Sequence, residues 1–180
     1  MARSIHVASI AIFSGLGVAF RVLKTYLTPA QFINIPLVFS FVSGYFFNAL
    51  TALFVGLLTY LISDILIFPG PWTLINPFLA GIVSYLWTLA CRKLNSLTEI
   101  FIVTFLSVLL FDITSSMAFY LMFGFNLFNA AIISIIGLFL PVFGGWMIGV
   151  GPITEFSTAL LTCLLIKKGS VVKCIGKTSY

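Results

Sequence analysis

The sequence predicts an all-α integral membrane protein with six transmembrane helices. Three observations carry that expectation. Of the 180 residues, 61% are hydrophobic and only 7% charged, and the mean hydropathy is +1.22, more apolar side chain than a water-soluble domain of this length hides. The apolar residues fall in runs near the roughly 20 that cross a bilayer, separated by short breaks rich in Pro, Gly, Asn or basic residues. The alternating apolar and polar pattern of a β-barrel is absent.

The elements follow in order. Residues 1–6 form a short basic leader with no cleavage pattern behind it, expected to be retained in the cytoplasm. The first span covers about residues 7–23. Its Ala11, Gly15 and Ala19 are each four apart and share one helix face, which Ser14 and Gly17 widen. Small residues in such a row let another backbone come close. The spacing suits packing within the chain as well as docking of a partner protein. Arg21 and Lys24 lie at the far end, and residues 25–34 form a polar loop. A short second span covers about 35–47, and a tight uncharged join at Asn48 leads into the third, about 49–68.

The third span ends at Pro69-Gly70-Pro71, which no helix crosses unbroken, because proline lacks a backbone donor and glycine tolerates any backbone angle. The fourth span follows, about 74–91, stopped by Arg92 and Lys93. Ser96 or Thr98, with Glu99 in the first turn, opens the fifth, which continues to about 123 and carries Asp112, Thr114, Ser115 and Ser116 in its interior. Residues 128–148 are apolar but interrupted by Gly137, Pro141, Gly144 and Gly145. The last span covers about 152–166 and stops at Lys167-Lys168. Residues 1–168 thus form one transmembrane domain and 169–180 a basic cytoplasmic tail.

Basic residues set the orientation. If 128–148 also crossed the membrane, Lys167, Lys168, Lys173 and Lys177 would lie opposite Arg92 and Lys93. With six spans the leader, Arg92-Lys93 and the lysine tail share one side, as the positive-inside rule prefers. Both termini are then cytoplasmic in a multi-pass protein of the cell membrane. Residues 128–148 become a bent, partly helical approach to the sixth span, tolerated where protein covers it or it lines a cavity.

Depth, at 1.5 Å per residue, then sorts the polar groups. Asp64, Asp112, Glu155, Arg21 and Lys24 all fall in the outer half, with Trp72, Asn76, Thr114, Ser115, Trp146 and Thr154 at similar depth. Three of the four acids of the chain are among them. Intramembrane ionisable residues are functional candidates by default, and as a group these describe an outward-facing binding pocket better than they describe separate structural ion pairs. No matching polar path continues through the inner half.

Taken together, these features resemble the substrate-binding S components of energy-coupling factor transporters, over nearly the whole chain. Six helices fit in about 180 residues. The small face of the first span, Ala11 to Gly15, stands where that family has Ala-x-x-x-Ala, with glycine at the second position. Residues 44–64, Phe68-Pro-Gly-Pro-Trp-Thr73 and Gly81 look like the family's second-to-fourth-helix region, and Phe111-Asp112-Ile-Thr114 like its Tyr-Asp-x-x-Thr motif. The resemblance implies capture of a vitamin or related micronutrient from outside. It also implies docking through the first helix, by Ala11, Gly15 and Ala19, onto a transmembrane coupling protein driven by two cytoplasmic ATPases. Substrate contacts are expected from Asp64, Trp72, Asn76, Asp112, Thr114, Trp146, Glu155 and Arg21. ATP hydrolysis would belong to the partners, since the chain has no phosphate-binding Gly-x-x-x-x-Gly-Lys loop.

Other functions fit less well. A self-contained small transporter or channel is the main alternative, and it needs a polar route through both leaflets. An enzyme is not expected: the sole histidine, His6, is terminal, and Cys91, Cys163 and Cys174 show no metal-ligand spacing, so no metal and no cofactor are expected. The net charge of +5 is orientation signal, and no nucleic acid is expected as a partner.

Overall fold

The computed structural model describes residues 2–28, 30–139, 142–144, 147–149 and 151–177, with side chains over 4–28, 30–139 and 151–170. Helices dominate: α1 (Ala2–Leu27), α2 (Ile35–Phe46), α3 (Ala49–Ile67), α4 (Trp72–Cys91), α5 (Leu97–Met122), α6 (Leu127–Gly137) and α7 (Gly151–Lys177). Three short strands, β1 (Ala30–Gln31), β2 (Val142–Gly144) and β3 (Met147–Gly149), complete the described elements. Four helical stretches, Ser4–Leu27, Ala49–Ile67, Trp72–Cys91 and Leu97–Met122, are long and apolar enough to cross a membrane. This is the architecture of a helical membrane protein.

Local chemistry sets the helix ends. Asn34 caps α2 by accepting from Leu37 N, with Pro36 in the first turn, where a missing donor costs nothing. Asn48 caps α3 in the same way through Thr51 N at 2.8 Å. Ser96, not Thr98, opens α5: its hydroxyl accepts from Glu99 N while the Glu99 carboxylate accepts from Ser96 N, a reciprocal capping box. At the Pro-Gly-Pro break, Gly70 N donates to Thr73 Oγ1 and Thr73 N donates to Gly70 O. That exchange starts α4 at Trp72, two residues before the expected 74.

At 12 residues and about 18 Å, α2 is too short to cross a bilayer core alone. It packs against α1, α3, α4 and α7 and buries residues on every side, as a helix apolar all round must. Its Leu37, Val38 and Phe41 join Trp87, Val83, Val108, Phe111 and Ile166 in the core, where Phe41 stacks on Trp87 with ring centroids 4.6 Å apart. Glycines allow the close crossings. A Cβ on Gly44 would stand 2.9 Å from Ala52 Cβ and overlap the Thr88 side chain, and one on Gly56 would stand 3.0 Å from Ala80 O.

The two ends of the bundle differ. His6 contacts the Asn48 amide at 3.1 Å, so α1 and α3 start together, at the end that also carries Arg92, Lys93, Glu99, Lys167 and Lys168. The opposite end gathers the C-terminal turns of α1, α3 and α5 with the N-terminal turns of α2, α4 and α7. It holds Arg21, Asp64, Asp112 and Glu155. The first is the basic end of the bundle and the second its acidic end.

Three expectations change. α1 takes in the expected leader and the start of the expected loop, running Ala2–Leu27 instead of about 7–23, because the flanking residues continue its hydrogen bonding past the apolar run. The final helix does not stop at Lys167-Lys168 but continues to Lys177, because lysine favours helix and its charge marks where apolar sequence ends, not where hydrogen bonding ends. Residues 128–148 are partly helical as expected, but 142–144 and 147–149 among the described residues are strands. β3 pairs antiparallel with β2 (Phe143 opposite Ile148) and parallel with β1 (Ala30 opposite Ile148, Gln31 opposite Gly149). The three strands lie at the acidic end, leading into α2 and α7.

Candidate functional site

Arg21 sits on the packed face of α1 with Ser14 and Gly17, all buried. Its Nη1 lies 2.6 Å from Asp64 Oδ1 and donates to Ser63 Oγ at 2.6 Å, while its Cζ stands 4.7 Å from the centre of the Tyr60 ring. One guanidinium therefore touches three residues within two turns of α3. Asp64 is 2% exposed, so the pair is buried, and such a pair holds only while both partners are present.

From Tyr60 the network continues across the bundle. The Tyr60 hydroxyl donates to Asn34 Oδ1 at 2.8 Å, the same oxygen that caps α2. Asn34 N donates to Thr158 Oγ1 at 2.8 Å. Thr158 returns its proton to Thr154 O, and Thr154 Oγ1 donates to Gln31 O in β1. An unbroken polar chain thus joins α1, α3, α2, α7 and β1.

Asp112 and Glu155 meet beside this chain. Their carboxyls face each other within interaction range, and Asp112 also lies close enough to Tyr60 to act on its hydroxyl. Phe111, one residue earlier, packs on Tyr60 with ring centroids 5.3 Å apart. Glu155 is 0% exposed, yet neither of its oxygens has a hydrogen-bond partner among the described residues, and Asp64 Oδ2 lacks one as well. No three His, Cys, Asp or Glu side chains converge among the described residues.

Above Phe111 the packing of α5 changes. Ile100, Thr104, Val108 and Phe111 are buried at helical spacing. From Asp112 to Tyr120 every residue is partly exposed, whichever side of the helix it occupies. No residue of this half is fully buried, Asp112 included, although Asn76 and Trp72 of α4 still reach Ser115 and Phe119.

The remaining expected site residues are placed as follows. Asn76 Oδ1 accepts from Ser115 Oγ at 3.0 Å and links α4 to α5. Thr114 donates back to Leu110 O within its own helix. Trp72 stacks on Phe68 and Phe119, at 5.7 and 6.0 Å, and its Nε1 donates to Phe68 O, so the indole is engaged in the α3–α4–α5 junction. Trp146 lies outside the described residues. On α1, Ala11, Gly15 and Ala19 are all exposed, and a Cβ added at Gly15 would meet nothing within 4 Å. Their row faces away from the bundle.

Sequence reasoning missed Tyr60, Ser63, Asn34 and Thr158. Asn34-Ile-Pro36 is a helix-start signature whose capping amide does a second job toward Tyr60. Thr154, Thr158 and Thr162 recur every four residues on an apolar helix, and all three are buried, a polar stripe legible in retrospect. Also missed was a belt of buried hydroxyls nearer the basic end, where Ser40 meets Ser84 at 2.7 Å and Trp87 Nε1 donates to Thr104 Oγ1 at 3.0 Å. These groups are neutral and bond one another or their own helices.

No protein-family model, no characterised protein and no solved structure matches the chain.

Proposed function

We propose that this chain is the membrane-embedded substrate-binding subunit of an energy-coupling-factor-type importer. It takes a vitamin-like small molecule from outside and delivers it by docking on a coupling protein driven by cytoplasmic ATPases. The observation that carries this reading is one-sided polarity. Every acid but Glu99 gathers at one end of the bundle, beside the partly exposed half of α5. Toward the other end the stacked Phe41–Trp87 pair and its apolar neighbours fill the core, and the polar groups among them, Ser40, Ser84, Thr88 and Thr104, are neutral hydroxyls hydrogen-bonded to one another, to Trp87 or to their own helices. A binding subunit that needs partners to complete transport fits that asymmetry. A self-sufficient channel or carrier needs polar access from both sides.

On this reading the acidic end faces outward and the basic end is cytoplasmic, following the positive-inside rule. The chain crosses six times, with α2 as a short buried span and α6 with the sheet as the non-spanning approach to α7. The outward row Ala11-Gly15-Ala19 is the docking face, where small side chains allow close helix approach.

Two experiments test the reading. The chain is purified from its native membrane and the retained small molecule identified by mass spectrometry; recovery of one compound, retained by wild type and lost when the Asp112–Glu155 site is altered with the fold intact, is expected. Single cysteines placed near Lys173 on a background free of native cysteines are then labelled from outside intact cells. No labelling is expected, and labelling there ends the six-span topology.

A further inference from the structure

The binding reading leaves open the chemical class of the ligand, and the hydrogen-bond inventory at the acidic end bears on it. Buried polar atoms in native proteins almost always have partners, so the unpartnered ones report what a ligand has to supply. Three carboxyl oxygens stand without a donor among the described residues: Asp64 Oδ2, Glu155 Oε1 and Glu155 Oε2. The unpartnered groups with a proton to give are Asn34 Nδ2 and the hydroxyls of Ser14, Thr51 and Thr59. Glu155 alone among these residues has two unpartnered atoms, both acceptors, and an anionic ligand group, itself an acceptor, would satisfy neither.

The geometry is sharpest at Glu155. Its carboxyl is 0% exposed and lies within interaction range of the Asp112 carboxyl. Two acceptor-only groups facing each other need a donor between them. A single proton supplies one hydrogen bond to the pair. A protonated nitrogen with two or more N–H groups supplies one to each carboxyl together with the opposite charge, and charge-assisted bonds of this kind are roughly twice as strong as neutral ones. Arg21 is not that group: its contacts are with Asp64, Ser63 and the Tyr60 ring, not with this pair. Of the two carboxyls Asp112 is partly exposed and Glu155 is buried, so the pair is reached from the Asp112 side.

We propose that the Asp112–Glu155 pair is a recognition site for an organic cation bearing N–H donors, an ammonium or amidinium group that enters from the partly exposed Asp112 side and bridges the two carboxyls. The inference rests on the binding-subunit reading for its physiological meaning and on the unpartnered oxygens for its chemistry.

The test uses the full chain in detergent micelles and isothermal titration with benzamidinium and benzylammonium. Benzoate serves as the anionic control and trimethylbenzylammonium as a cation without N–H groups. Benzamidinium or benzylammonium is expected to bind saturably, benzoate not at all, and the trimethylated cation more weakly than its parent amine. Glu155→Gln and Asp112→Asn are each expected to weaken the amidinium or amine about tenfold or more, the equivalent of one charge-assisted hydrogen bond. Glu99→Gln, at the opposite end, leaves binding unchanged. Melting curves and gel filtration establish that each variant is folded, and two variants guard against the failure of either. Benzoate binding as tightly as the amidinium overturns the proposal, as does failure of both N–H cations to bind, or unchanged affinity in both folded variants. The outcome is separate from that of the importer reading. A chain that binds amidinium but never joins a coupling protein keeps the site and loses the importer, and a chain that joins one but prefers benzoate does the reverse.

Discussion

Replacing Arg21 by methionine removes one guanidinium and keeps most of the apolar stem that packs against α3. Its cost follows from what the head group does. Asp64 is 2% exposed, its Oδ1 is held by Arg21 at 2.6 Å, and its Oδ2 has no partner among the described residues. Without Arg21 the carboxyl is buried with no donor on either oxygen. Breaking a buried pair from one side costs about 3–5 kcal/mol, and loss of the cation over the Tyr60 ring adds roughly 0.5–2 kcal/mol. Ser63 adds little, because its hydroxyl proton is already given to Thr59 O at 2.5 Å. The double variant Arg21→Met with Asp64→Leu removes the uncompensated charge and is expected to recover most of the loss, since apolar replacement of a whole buried pair is often neutral or better. The assay is equilibrium unfolding in mixed micelles of wild type, both single variants and the double variant. A loss under about 1 kcal/mol for Arg21→Met, the range of exposed pairs, refutes the claim that this pair is buried and mutually dependent. So does a double variant no more stable than Arg21→Met alone.

Other consequences are checked the same way. Gly44→Ala puts a methyl 2.9 Å from Ala52 Cβ and into the Thr88 side chain, forcing α2, α3 and α4 apart at a cost of about 1–3 kcal/mol. Gly15→Ala meets nothing within 4 Å and is expected to be neutral or to stabilise α1 by up to about 1 kcal/mol. The pair of unfolding curves thus separates packed from outward-facing glycines, and equal losses contradict the placement of α1. Ser96→Ala removes the acceptor 3.1 Å from Glu99 N and half of the α5 capping box. A loss of about 0.5–2 kcal/mol is expected, with faster amide exchange confined to the first turn of α5; exchange spreading to Val108 contradicts a local cap.

The helices were legible because their signals are local. Apolar runs, the Ser96 cap and the Pro-Gly-Pro break each act within a few residues, and the ends of α2 to α5 fall within a turn of those expected. α1 and α7 run longer: α1 takes in the leader and the start of the expected loop, and α7 shows that a lysine pair marks a polarity boundary and not a helix end. The sheet was not legible, because Ala30 finds Ile148 from the far side of the sequence and a two-residue strand leaves no periodicity. Within the site, depth counting gathered Arg21, Asp64, Asp112 and Glu155 at one level, since the rise per residue is fixed. It did not find Tyr60 and Asn34, whose roles depend on how α2 and α3 cross, nor the engagement of Trp72 with Phe68 and Phe119, which follows from the geometry of the turn between α3 and α4.

The central claim is that this chain binds its ligand alone and hands it on through the outward row of α1. The most direct measurement is reconstitution of the purified chain with a coupling protein and its two ATPases in proteoliposomes, comparing wild type with Gly15→Trp and Ala11→Trp. Because these positions face away from the bundle, both variants are expected to bind the identified ligand as wild type does, while failing to assemble with the coupling protein and to support ATP-driven uptake. Variants that assemble and transport normally, or that lose ligand binding while assembling, contradict the account.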